Sequence, residues 1–164
     1  MPVFYLDTSA IVKSYHSEQG SEVIDELFEN SVPEDQFHTS FLTLLEGISG
    51  IERLGDSGQL ERALVESALA RFRRDIFHRF HLWPISNDII AQAASVVGQY
   101  KLRSADAIHL ATALSISSLV PDSPVILISS DRRLIRSTQA AGLPVLDPTD
   151  SGALAQLRQF RSHA

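Results

Sequence analysis

The chain has 164 residues, 44% of them hydrophobic and 21% charged, enough apolar material for one domain with a sizeable core and too little for a second. It contains no cysteine, so disulfide frameworks, thiolate metal sites and thiol nucleophiles are excluded, and a reducing compartment is compatible. A formal net charge of −6 argues against a non-specific polyanion binder, but the charge is uneven: residues 1–35 carry eight acids against Lys13 alone, while arginines gather at Arg71, Arg73, Arg74 and Arg79 and again at Arg132, Arg133 and Arg136.

In chain order, "VFYL" is a short apolar run that stops at Asp7, and Thr8 or Ser9 is placed to cap a helix through "AIVKSY". The acidic "SEVIDELFEN" has Val23, Ile24, Leu27 and Phe28 at helical spacing. "DQFHT" is a weak strand candidate, after which Ser40 opens a helix through "FLTLLEGISGIERL" that "GDSG" breaks. A long arginine-bearing helix is predicted over Gln59 to His78, "FHLWPI" as a strand, "NDIIAQAASVVGQY" as a helix, and "LRSADAIHLATAL", Leu102 to Leu114, as another. After a turn between Pro121 and Pro124, the β-branched "VILIS" leads into a helix, "SDRRLIRSTQAAG", with Gly142 as its C-cap, and "PVL" is the last strand. Strands separated by helices predict a three-layer α/β sandwich, a mainly parallel central sheet flanked by helices. Residues 1–150 read as a single domain and 151–164 as a tail or short helix. The N-terminus lacks a basic flank, and the longest uncharged apolar stretch, Ala107 to Val120, is too short to span a bilayer, so a soluble, unexported protein without membrane association is expected.

Some acids stand in unusual places. On a helical wheel Asp106 shares a face with Leu102, Leu110, Ala113 and Leu114, and a lone carboxylate taken out of water is costly unless something pairs with it. Asp7 terminates the first strand and Asp131 follows "VILIS", which puts both along the carboxyl edge of a parallel sheet, where sites form. Glu46 lies in an apolar helix between Leu42 and Gly50. Each also has a purely structural reading: Asp131 as a helix N-cap, Asp7 as a turn residue, Glu46 as a half-exposed helix charge, Asp106 as a hydrogen-bonded core acid. If they converge, repulsion raises their proton affinities unless cations neutralise them, and hard divalent ions prefer oxygen ligands. His109, one turn from Asp106, and His38, near a strand end, read as packing or polar residues.

Together "YLDTSAIVKSYHSEQGS", "TSFLTLLEGISGI", "LRSADAIHLATAL" and "LISSDRRL" resemble the PIN domain, in particular the VapC-like toxin ribonucleases of type II toxin–antitoxin systems, from about Val3 to Leu146. The resemblance implies a divalent-metal-dependent endoribonuclease in which Asp7, Glu46, Asp106 and Asp131 bind magnesium or manganese and a hydroxyl of Thr8 or Ser9 supports them. It further implies a cytosolic protein, a homodimer and a small antitoxin partner. RNA is expected to approach over Arg132 and Arg133, and less directly over Arg71, Arg73 and Arg74, avoiding the acidic helix Ser21 to Asn30.

Other classes fit less well. A haloacid dehalogenase-type phosphatase needs a second acid two positions after the first, where this chain has Ser9, and a nucleotide-binding Rossmann domain needs a glycine-rich turn that "DTSA" lacks. The remaining alternative is a non-catalytic PIN-fold module that binds RNA or protein. Such a module is expected to have lost one of the four acids, and all are present.

Overall fold

The computed structural model describes residues 1–162, so the last two residues of the expected 151–164 segment lie outside the described residues. Five strands, β1 (Val3–Leu6), β2 (Gln36–Ser40), β3 (His81–Trp83), β4 (Val125–Ile128) and β5 (Val145–Leu146), form one wholly parallel sheet in the order β3-β2-β1-β4-β5. Between them run α1 (Thr8–Ile11), α2 (Ser21–Glu29), α3 (Leu42–Asp56), α4 (Arg62–Arg79), α5 (Asn87–Tyr100), α6 (Ser104–Leu119) and α7 (Arg132–Ala140), with α8 (Ala153–Ser162) after β5. The central pair β1 and β4 is in register from Val3 with Val125 to Leu6 with Ile128. Both strands are buried along their whole length, which is why they read as unbroken apolar runs.

Alternation along β1 divides the core in two. Phe4 and Leu6 face one way and join Phe37 of β2 and Ile24, Leu27, Ile51, Phe72 and Leu157, contributed by α2, α3, α4 and α8. Tyr5 faces the other way with Val125 and Leu127, against Ile89, Val96, Leu110, Ile116 and Leu134 of α5, α6 and α7. The result is the expected three-layer sandwich. The weak signal of β2 has a physical cause, because most of its interior residues are polar and bonded through the fold: Trp83 Nε1 donates to His38 Nδ1 at 2.8 Å, leaving the buried Nε2 without a partner among the described residues, and Thr39 Oγ1 donates to the Leu6 carbonyl at 2.7 Å.

Several boundaries differ from the sequence reading. The first helix is capped not by Thr8 or Ser9 but by Asp7, whose carboxylate accepts from Ala10 N, and it tightens after one turn into a 3-10 turn over Val12–Ser14. Ser40 closes β2 rather than opening α3, although its hydroxyl still accepts the Leu42 N–H at 3.2 Å. Helix α4 starts at Arg62 rather than Gln59, because the N–H groups of Gln59 and Leu60 both turn back to the Leu54 carbonyl. Helix α6 continues past Leu114 to Leu119, its late turns accommodating Ser118 by a hydroxyl bond to the carbonyl of Leu114. In α7 the cap is Ala141, and Gly142, at φ +88°, follows it in the left-handed position that lets the Leu143 N–H reach the Thr138 carbonyl.

Candidate active site

The chain leaves β1 for β2 on one side of the sheet and later enters β4 on the other, so the crevice at the carboxyl ends of β1 and β4 is a topological switch point. A cleft of about 540 Å³ opens there, lined by Asp7, Glu46, Asp106 and Asp131 together with Thr8, Ser9, Arg53 and His109. The four acids come from the end of β1, the second turn of α3, the first turn of α6 and the N-cap of α7.

Each acid is held differently. Asp7, almost fully buried, accepts from Ser9 Oγ at 2.8 and 3.0 Å, from Ser129 Oγ at 2.9 Å and from Ala10 N at 3.0 Å. Ser9 and Ser129 also accept the N–H groups of Ser130 and Asp131, tying the β1 end to the β4 end. Glu46 Oε2 accepts from Thr8 Oγ1 at 2.6 Å and faces His109 Nε2 at 3.0 Å. Asp131 Oδ1 caps α7 through Arg133 N at 2.7 Å and Leu134 N at 3.0 Å. Both expected hydroxyls are thus in use, on different acids: Thr8 on Glu46 and Ser9 on Asp7.

The repulsion expected among the acids is a cause of the shift at Asp106 alone. Burial pushes the Asp7 carboxyl up, against the lowering influence of His109, Ser9, Ser129 and the Ala10 N–H. Burial and then the neighbouring Asp131 charge push Asp106 up, with Glu46 adding to the effect and His109 and Arg103 opposing it. Glu46 goes the other way: burial alone raises it, but the hydrogen bonds from His109 and Thr8 outweigh that and hold it below the ordinary glutamate range.

Among the described residues no three His, Asp or Glu side chains are grouped tightly enough to hold a metal ion by themselves. The acids form a rim around the cleft rather than a closed cage. The donor set nevertheless suits a hard ion: every carboxylate is oxygen-only, that of Asp106 receives no protein hydrogen bond, and magnesium keeps several waters while taking only one or two carboxylates.

The structure does not bring the expected arginines to this cleft. Arg132 and Arg133 lie exposed on the first turn of α7, beside Asp131 in the chain but outside the lining. Arg71 stacks over the Tyr15 ring at 4.7 Å, Arg74 pairs with Asp75 at 2.8 Å, and Arg73 is exposed on the same helix. The arginine that lines the cleft is Arg53 on α3, held by its Nη1 donating to Ser49 Oγ at 2.8 Å. The sequence alone gives no sign of Ser129, and it reads His109 as a packing or polar residue. The available signal for His109 was its position three residues after Asp106, which puts both on one face of α6. His38 stays away from the cleft, where burial and then the adjacent His81 push its pKa down to about 4.

The family model of the PIN domain matches residues 4–140. The chain belongs to the PIN domain family. Among curated relatives of this PIN domain, Ribonuclease VapC35 of Mycobacterium tuberculosis is 32% identical over 146 residues, covering 89% of this chain and 97% of the relative. Among solved structures, FitAcB from Neisseria gonorrhoeae superposes with a TM-score of 0.66 at 20% identity, covering 88% of this chain and 97% of the other. A toxin–antitoxin complex from Klebsiella pneumoniae gives 0.56 at 22%, covering 90% and 98%. At such identities the two structures speak for the fold of this PIN domain alone.

Proposed function

We propose that this PIN domain is an endoribonuclease dependent on a divalent metal, and the toxin of a type II toxin–antitoxin pair. The observation that carries the reading is the placement of Asp7, Glu46, Asp106 and Asp131 around one cleft at the switch point of the sheet, in a chain 32% identical to Ribonuclease VapC35 over nearly its whole length. The four acids would hold Mg2+ or Mn2+. Bound there, such an ion lowers the pKa of a water and stabilises the departing oxygen of a phosphodiester. The protein's own part is positioning. The Ser9 and Ser129 hydroxyls fix Asp7, the α7 N-terminus fixes Asp131, and Arg53, in the lining, offers a guanidinium to a phosphate entering the cleft. A phosphate brought to four carboxylates is repelled until cations neutralise them, which makes cleavage and metal loading inseparable.

A small antitoxin partner agrees with the fold shared with the Klebsiella pneumoniae toxin–antitoxin complex. A homodimer has apolar surface to use, since Leu45, Leu64 and Phe77 of α3 and α4 are each more than half exposed. A cytosolic location accords with the finding that no helix among the described residues is long and apolar enough to cross a membrane. The deciding experiment incubates the purified chain with RNA in Mg2+ or Mn2+. Cleavage should stop in EDTA and in Asp106→Asn. Intact RNA under every metal condition, or cleavage indifferent to chelation, would refute the reading.

A further inference from the structure

Glu46 is held from beneath by two side chains of the core, Tyr5 and His109. Tyr5 sits wholly buried in the central strand, and its hydroxyl stands 2.9 Å from Nδ1 of His109, itself 2% exposed. On the far side of the ring, Nε2 stands 3.0 Å from Glu46 Oε2. An ionised carboxylate offers only lone pairs, so the ring proton belongs on Nε2, and Nδ1 is then an acceptor that needs a donor. The Tyr5 phenol is that donor. Thr112, the other hydroxyl beside Tyr5, gives its own proton to the Ile108 carbonyl at 2.7 Å. Tyr5 satisfies one ring nitrogen, and the bond of the other crosses to α3 and ends on an acid of the cleft. With Thr8 Oγ1 donating to the same Oε2 at 2.6 Å, the carboxylate is fixed by two donors on one oxygen, and Oε1 has no protein donor.

We propose that Tyr5 and His109 are positioning residues of this site: the buried phenol selects the Nε2–H form of His109, and that N–H holds the Glu46 carboxylate with Oε1 left for a hard cation or its water. The proposal rests on the nuclease reading for its cation, but not for its tautomer. Tyr5 is sealed in the core, and His109 borders the cleft with almost no exposed surface. Both act through Glu46, as outer groups that orient a metal ligand commonly do.

Two readouts test it, one of them independent of activity. Long-range 1H–15N spectra of the metal-free protein should show His109 protonated at Nε2 and bare at Nδ1. Tyr5→Phe, which keeps the aromatic ring, should lose that single form. Mn2+ affinity, followed by EPR titration, should weaken about tenfold in Tyr5→Phe and in His109→Leu, while His109→Gln, which retains an N–H near the Nε2 position, recovers most of it. RNA cleavage should fall in kcat with KM little changed. Melting curves check that each variant folds; if His109→Leu does not, Tyr5→Phe against His109→Gln carries the comparison. A wild-type ring protonated at Nδ1 and bare at Nε2 overturns the proposal, as does Tyr5→Phe with unchanged tautomer and Mn2+ affinity. A wild-type protein with the Nε2–H form that neither binds Mn2+ nor cleaves RNA instead refutes the nuclease reading and the cation role of Glu46, and leaves the tautomer standing.

Discussion

Gly47→Ala perturbs the site from the core side. Gly47 follows Glu46 on α3, and a Cβ built there lies 2.3 Å from Phe72 Cζ and 2.8 Å from its Cε1 and Cε2. Non-bonded carbons rest at about 3.5–4.0 Å, so the helix or the ring must yield by roughly 1.2 Å or more. Phe72 has nowhere to go: it is fully buried and stands edge-on to Tyr15, with centroids 5.4 Å apart and planes at 89°. Overpacking a tight core costs about 1–3 kcal/mol, and a contact this short belongs at the upper end. Alanine's better helix propensity offsets up to about 1 kcal/mol. The net is a loss of about 2 kcal/mol, which for a chain of this size lowers Tm by about 4–8 °C. Calorimetry or urea unfolding reads that loss directly. Because Glu46 immediately precedes Gly47 on α3, Mn2+ affinity should fall with stability. Phe72→Leu withdraws the ring tip, so in the double variant part of both losses should return, with a coupling of about 1–2 kcal/mol. A Gly47→Ala protein that melts at or above the parent temperature would refute the close-packing argument, and strict additivity with Phe72→Leu would refute the assignment to that ring.

Asp7→Asn should melt higher than the parent at pH 7 while losing RNA cleavage. Burial raises the Asp7 pKa above the ordinary aspartate value of 3.8, so the native state binds the proton more tightly than the unfolded chain, and stability declines as pH rises from 3.8 through the raised native value. The variant removes that decline, and melting followed from acid to neutral pH should flatten; a lower Tm at neutral pH speaks against it. For substrate contacts, Arg53→Ala should weaken RNA binding in metal-free buffer and reduce the salt slope by about one, more than Arg132→Ala with Arg133→Ala does, because only Arg53 lines the cleft. Filter binding across a salt series decides between them.

The sheet was legible where its strands are apolar. "VFYL" and "VILI" are buried on both faces and announce themselves, whereas "QFHTS" hides inside the protein with polar side chains whose bonds go to Trp83, Leu6 and Thr43, partners that the fold alone brings up. The acids were legible because a carboxylate at a strand end or on an apolar helix face contradicts local rules and asks for an explanation. What holds those acids was less so. Ser129 is one serine among many, and nothing in its neighbourhood says that it reaches back 122 residues to Asp7. Proximity in sequence to Asp131 favours Arg132 and Arg133, while the fold turns those outward on α7 and brings Arg53 of α3 to the cleft. A stretch of α6 buried on nearly every side made His109 look like packing, which it also is.

Asp131 shows why a structural and a functional reading of one residue need not compete. Its Oδ1 accepts the N–H groups of Arg133 and Leu134 at the start of α7, as an N-cap should, and the same bonds fix the carboxylate, whose charge is felt by Asp106, with its other oxygen free of the cap. Asp7 repeats the device at α1, with Oδ1 taking the Ala10 N–H. The cap and the site can therefore be separated by substitution. Asp131→Ser keeps a capping oxygen but has no second one, so stability should stay within about 0.5 kcal/mol of the parent while RNA cleavage and Mn2+ binding collapse. Asp131→Ala loses both, with about 1 kcal/mol of stability gone as well. Urea unfolding and cleavage assays on the two variants should thus give the same activity defect on proteins of different stability. Cleavage surviving in Asp131→Ser would mean that the second oxygen has no part in the reaction and that Asp131 is a helix cap alone.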